Sequence, residues 1–344
     1  MVSTILGALL PMLLTFLLGF LAAWRRDFGP NDASTLNRMV LVYAVPLALF
    51  AGTVTTSRAA LVQDVSLVIA LCAAIISLYG AVFLLCRFVF HFQPGRSALA
   101  ALTASAPAVP FVGPAVLGDL FGRSSAIPIA ISSLVINLTV VPVTLLILAL
   151  GATVKNNTAA TASAAPGEKQ SASSAASQLS LLASKLGDTV KEPIVWAPVL
   201  AFVVVLCGLH IPKLLIHSMA MLGSASGGVA MFACGIVLAA GKIEINKTVL
   251  SLVLLKNILQ PALVLIGLRW FGYGNPIVSE AVLTTAIPTM PLVIMFAMQY
   301  RIEEGEAASA VFSAWSARSF PWEFSSRSPN KFTNSLDSKG GFRS

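Results

Sequence analysis

The chain has 344 residues, of which 57% are hydrophobic and 10% charged, and its mean hydropathy is +0.86. Soluble domains carry roughly 25% charged residues, so this composition excludes an ordinary soluble enzyme. The net charge of +8 does not point to a nucleic-acid partner either, because the basic residues are spread over loops and a polar tail.

Apolar runs of about 20 residues recur, the length that a hydrocarbon slab about 30 Å thick demands of a helix. They are continuous, without period-2 alternation, so helices are predicted and not barrel strands. In chain order the predicted spans are about 3–24, 36–53, 63–89, 97–118, 125–150, 193–209, 216–240, 248–271 and 278–299; a tenth begins near Ala307 and is cut short. The fold class is therefore an all-α polytopic membrane protein. No basic residue precedes the first run and no small-residue cleavage site follows it, which reads as a retained span and not a signal peptide. Cys72, Cys86, Cys207 and Cys234 fall inside apolar runs and read as buried thiols, not a disulfide framework.

Arg25, Arg26, Arg38, Arg87, Arg96, Lys155, Lys169, Lys185, Lys191, Lys242, Lys247 and Arg301 flank the loops after odd-numbered spans; Arg58, Arg123, Lys213 and Arg269 flank those after even-numbered ones. Cytoplasmic loops carry the Lys/Arg excess. The expectation is a multi-pass protein of the cytoplasmic membrane with its N-terminus outside. Residues 151–192, rich in Ala, Ser and Thr and carrying Pro166 and Gly167, cannot bury a core and read as a cytoplasmic linker. Within it Leu179, Leu182, Leu186 and Val190 fall at helical spacing, the pattern of a short interfacial helix.

The chain also repeats itself. Thr103–Val112 contains Pro107-x-x-Pro110, and Thr284–Val293 contains Pro288-x-x-Pro291, 181 residues later; Leu47-Ala48-Leu49-Phe50 is echoed by Val229-Ala230-Met231-Phe232. Residues 1–150 form a first five-helix repeat and 193–317 a second with an incomplete last helix. Five is odd, so the second repeat enters the membrane from the opposite side, the inverted architecture of many secondary transporters. That repeat predicts an apolar partner of span five reaching about residue 331, but Arg318-Ser319-Phe320-Pro321-Trp322-Glu323 interrupts it. The polar tail 318–344 does not read as native to the fold, and the hypothesis it suggests is a shifted reading frame or a truncated gene from about Ser313 onward.

Two prolines three apart remove N–H donors and clash with the preceding turn, breaking a helix. In hydrocarbon, broken backbone survives only where it faces protein or a wet cavity. A plain kink is one reading of each break. Two breaks at matching places support a second reading: helices 4 and 9 cross at mid-membrane and offer positive helix ends to an anion. The candidate substrate-binding residues are Ser105, Pro107, Pro110 and Phe111 at the first break, Thr285, Pro288, Thr289 and Pro291 at the second, and Asn137 and Lys256 in neighbouring spans. A central charge costs about 2.5–3.5 kcal/mol on insertion scales. Lys256 either attracts a carboxylate, holds a crossover carbonyl, or snorkels to the interface. Asn137, beside Thr139, can serve substrate or a freed carbonyl. Ser105, Thr285 and Thr289 are hydroxyl partners, although such groups often serve their own helix. Asp119 reads as a solvated loop charge.

His91, His210 and His217 have no carboxylates at metal spacing, so no metal is expected. Gly223-Ser224-Ala225-Ser226-Gly227 has Ala where a nucleophile elbow needs Ser. Without a phosphate loop, paired acids or Cys-x-x-Cys, neither enzymatic activity, a cofactor nor ATP drive is expected.

Leu36-Asn37-Arg38-Met39-Val40 with Tyr43–Phe50 resembles span two of the auxin efflux carrier family. Gly208–Lys213 and Met231–Ala239 resemble its spans six and seven, and Ala286-Ile287-Pro288-Thr289-Met290-Pro291 its ninth-span crossover. The similarity covers about residues 1–316 and is greatest to bacterial, malonate-transporter-like members. It implies ten helices, with spans 1, 2, 6 and 7 as a scaffold that can form a homodimer and a transport domain carrying crossed helices 4 and 9. It further implies movement of small organic anions, a dicarboxylate such as malonate, by a moving-domain mechanism. An anion channel or a substrate-sensing receptor on the same fold is the alternative. Gly227-Gly228 departs from the family pattern, where many members have a proline.

Overall fold

A backbone in hydrocarbon must satisfy its N–H and C=O groups within its own segment, and the apolar runs accordingly fold as helices in the computed structural model. The structure describes residues 2–55, 65–162, 192–209, 211–240, 246–275 and 277–319. The helices are α1 (Val2–Trp24), α2 (Pro30–Val54), α3 (Val65–Val89), α4a (Pro94–Ser105) and α4b (Val109–Phe121), followed by α5, which starts as Ala126–Val135 and ends as Val141–Ala162. After the linker come α6 (Pro193–Leu206), α7 (Lys213–Ala240), α8 (Lys247–Trp270), α9a (Ile277–Ala286), α9b (Leu292–Tyr300) and α10 (Glu304–Ser319). Five of them, α2, α3, α5, α7 and α8, are long and apolar enough to cross a bilayer. The molecule is an all-α polytopic membrane protein.

Helix starts follow local chemistry. Pro30, Pro94 and Pro193 open α2, α4a and α6, where proline's fixed φ suits the first turn and its missing N–H is no loss. The Asn246 side chain caps α8 by accepting from Val249 N at 2.8 Å. Four π-helical turns interrupt the spans among the described residues: Val40–Ala44 in α2, Leu85–Val89 in α3, Ile136–Val140 in α5 and Leu255–Leu259 in α8. Such turns commonly mark functional positions, and the last two hold Asn137 and Lys256.

Small residues set the closest helix contact. A Cβ on Gly19 of α1 would lie 2.0 Å from Phe232 O, and one on Gly235 of α7 would lie 2.1 Å from Phe16 O. With no hydrophobic force between helices in lipid, such backbone-to-backbone approach is what holds them together. α7 packs on α1 and α2, and α6 packs on α2, while α3, α4a, α5, α8, α9a and α10 form a second set of contacts.

Three details differ from the sequence expectation. α10 begins at Glu304, three residues before Ala307, and stays packed past Ser313: Ala314 and Trp315 are in the core. Helix α5 continues to Ala162, beyond the linker boundary at residue 151. Among the cysteines, Cys86 and Cys234 are buried, Cys72 is half-buried and Cys207 is exposed, with no disulfide. The stretch Leu179–Val190, residues 320–344, His210 and the Asp119 side chain lie outside the described residues.

Candidate transport site

The two Pro-x-x-Pro segments meet. After Ser105 the chain turns extended at Ala106, with φ −105° and ψ 97°, and α4b resumes at Val109. The second break runs from Ile287 to Pro291. Pro107 lies opposite Thr289 in a single antiparallel bridge. Neither Pro107 nor Pro288 has an N–H, so the bonds come from their neighbours. Ala108 N–H donates to Pro288 O at 2.8 Å, and Met290 N–H donates to Ala106 O at 3.1 Å.

A broken helix leaves carbonyls at its C-terminal end that must find donors when buried. The long-range partners found here explain several candidate residues. The Thr289 hydroxyl donates to Thr103 O at 2.8 Å. Gln260 Nε2 donates to Ser105 O at 2.6 Å. Lys256 Nζ donates to Thr285 O at 2.7 Å and to Gln260 Oε1 at 2.6 Å. Trp315 Nε1 donates to Thr289 O at 3.0 Å. Ser105, Thr285, Thr289, Lys256 and Gln260 are fully buried. Of the three alternatives for Lys256, the observed one is the brace on a crossover carbonyl. The hydroxyls of Ser105 and Thr285 serve their own helix, bonding Ala101 O at 2.7 Å and Val282 O at 3.0 Å.

A cavity of about 860 Å³ opens beside the first break, within the range of solute sites. Pro110 and Phe111 of α4b, Ser133 and Asn137 of α5, Thr53 of α2, and Ser224 and Gly227 of α7 line it. Asn137 is 3% exposed and its Oδ1 has no hydrogen-bond partner. Native buried polar atoms are rarely left so. Of the ten candidates, Pro110, Phe111 and Asn137 face this cavity. Ser105, Pro107, Lys256, Thr285, Pro288, Thr289 and Pro291 are buried in the crossover itself. Gly227 keeps α7 close to the site: a Cβ there would lie 3.0 Å from Met12 Cε and 3.3 Å from Phe111 Cδ1.

Sequence reasoning singled out neither Gln260 nor Trp315 as a site residue. Gln260 sits one turn from Lys256 in an apolar span, which was a signal. Trp315 gave none, because its partner is fixed only by tertiary packing. Asn37, quoted above only as part of a family motif, donates from Nδ2 to Met295 O at 3.0 Å and ties α2 to α9b. Elsewhere, Arg96 at the start of α4a bonds Glu306 at 2.7 Å and Glu303 at 3.3 Å, with its guanidinium 4.2 Å from the Phe92 ring centroid.

An apolar helical bundle whose broken helices meet beside a solute-sized cavity defines a membrane transport protein. The family model for membrane transport proteins, Mem_trans, matches residues 4–321, and the chain belongs to that family, the auxin efflux carriers. An uncharacterized transporter, YfdV of Escherichia coli K12, is 32% identical over 316 residues, covering 90% of this chain and 94% of its own. The YfdV proteins of E. coli O157:H7 and Shigella flexneri match to the same extent.

Proposed function

We propose that this transporter is a secondary carrier of small organic anions, with a dicarboxylate such as malonate as the first substrate to test, in the cytoplasmic membrane. The observation that carries the reading is the cavity ending on the first residues of α4b, Pro110 and Phe111, opposite the unpartnered Asn137. The N-terminal end of a helix carries roughly +0.5 of a charge, so α4b presents positive potential where a carboxylate can lie; Asn137 Nδ2 is the donor to that carboxylate, while its unpartnered Oδ1, an acceptor, is left for a water or a protonated carboxyl. No ATP is needed: one charge crossing the membrane gains or loses about 2.3 kcal/mol per 100 mV.

The mechanism is alternating access. Helices α1, α2, α6 and α7 act as the scaffold, through which two copies can dimerise. The remaining helices, braced at the crossover, move as one body and carry the α4b site from one side to the other. With the N-terminus outside, the cavity rim at Thr55, Gly122 and Ser125 faces outward. Uptake of labelled malonate by proteoliposomes tests the reading. Saturable flux that follows an imposed gradient is expected. Ohmic flux without saturation would make the protein a channel, and binding without flux a receptor.

A further inference from the structure

The ends of the two broken helices differ in sign. α4a and α9a terminate at Ser105 and Ala286, and each C-terminal end carries roughly −0.5 of a charge, about −1 together. In transporters with broken helices, such carbonyl ends are where co-transported cations are coordinated. Here the space between them is filled by side chains of α8. The Lys256 ammonium reaches Thr285 O at 2.7 Å and Gln260 Oε1 at 2.6 Å, and Gln260 Nε2 reaches Ser105 O at 2.6 Å. An ammonium only donates and a carbonyl only accepts, so the Gln260 amide can join the two in one orientation alone. The ammonium is 0% exposed, and it sits in the π-helical turn Leu255–Leu259.

We infer that Lys256 is a resident cation: its ammonium occupies the place between the two carbonyl ends that an exchangeable alkali cation would take, so the crossover is complete without a bound ion. The positive helix end at α4b then remains for the anion, and the anion crosses without a co-transported metal cation. The first part rests on the hydrogen bonds at the crossing, and the second also on the transport reading. The unit charge of the ammonium matches the roughly −1 of the two helix ends, and the Gln260 relay shares it with the more distant end. A neutral side chain at 256 would remove that charge from between the two ends, leave Thr285 O without the ammonium and open a site for a small cation.

Thermal unfolding of the purified full-length protein tests this without any substrate. Midpoints are compared in choline, sodium and n-propylammonium chloride at equal ionic strength. The wild type should unfold at one temperature in all three. Lys256→Ala deletes the equivalent of a propylammonium ion, so its midpoint should fall in choline and recover by roughly 3 °C or more in propylammonium. n-Propanol, which fills the same space without the charge, should give no such recovery; equal rescue by the alcohol overturns the inference. A sodium-specific rise in the wild type, or a folded variant equally weak in every salt, overturns the inference. If Lys256→Ala yields no folded protein, Lys256→Met is compared in choline and ammonium chloride, because Met fills the path of the alkyl chain and leaves room only for the ammonium ion. Recovery of folded material only with ammonium supports the inference, and failure in both salts counts against it. In proteoliposomes, wild-type malonate uptake should be the same with sodium or choline outside. An absence of uptake would overturn the transport reading while the thermal arm still decides the role of Lys256.

Discussion

The two breaks share a Pro-x-x-Pro motif and yet lie in opposite surroundings. The helix leaving the first break, α4b, carries Gly113, Pro114 and Gly118 and borders the cavity. The helix leaving the second, α9b, reads Leu292-Val293-Ile294-Met295-Phe296-Ala297, and each of these side chains is at most 1% exposed. One break opens on the cavity; the other is sealed by α2, α7 and α10. Equivalent motifs in unequal packing are what alternating access requires, because a site reached from both sides at once would be a pore. On the transport reading proposed above, the inequality divides tasks: residues around α9b hold the structure, and residues around α4b are the ones placed to meet solute.

The sharpest way to break that contrast is Trp315→Ala. The ring is fully buried and its N–H serves Thr289 O. Loss of a buried aromatic costs about 3–5 kcal/mol, and the abandoned carbonyl adds to it. Denaturant unfolding should show the largest drop of any single change proposed for this site, and transport should vanish with the fold. A near-neutral result would mean that α10 does not support the second break.

A matched pair comes next. Met295→Trp forces volume into the sealed side and should cost about 1–3 kcal/mol by overpacking. Ala130→Trp places the same ring in the cavity wall; stability should change by less than about 1 kcal/mol while transport is blocked. Equal destabilisation by both would remove the distinction between the two sides.

How much of this was legible follows from the range of each interaction. The prolines act on their own turn, so both breaks could be read from Pro107, Pro110, Pro288 and Pro291. Span positions were readable because lipid imposes length and apolarity segment by segment. The partners of the breaks were less so. Gln260 meets Ser105 across 155 residues and Asn37 meets Met295 across 258, and no local pattern encodes such a pairing. The cavity was not readable either, since it is a gap left by packing. Lys256 could be flagged by its cost in lipid, but only the structure shows which of its offered roles it takes. Likewise the start of α10 was placed late because Glu304 and Glu306 are polar, although Glu306 is held by Arg96.

A smaller effect on stability and a larger one on solute are expected from Asn137→Leu. Its Oδ1 has no partner in the protein, so the change should leave the unfolding midpoint unaltered or raise it, because an unsatisfied buried acceptor is removed. A hydrogen bond to a charged group is worth about 1.5–3 kcal/mol, so substrate KM should rise roughly ten- to a hundredfold. Unchanged uptake would move the anion away from the α4b end of the cavity.

The smallest effect belongs to Arg96→Gln. The ion pairs join the starts of α4a and α10, but the Arg96 side chain is 30% exposed and its partner Glu303 45%. Exposed pairs contribute about 0.2–1 kcal/mol and are screened by salt. The variant should therefore lose no more than about 1 kcal/mol, and at 1 M salt, where the Debye length is about 3 Å, it should approach the wild type. Glu306 is only 8% exposed, and that sets the limit of the argument. If the loss is several kcal/mol and insensitive to salt, the Glu306 carboxylate is the buried partner that matters, and the ends of α4a and α10 belong with the sealed second break and not with the solvent-exposed loops.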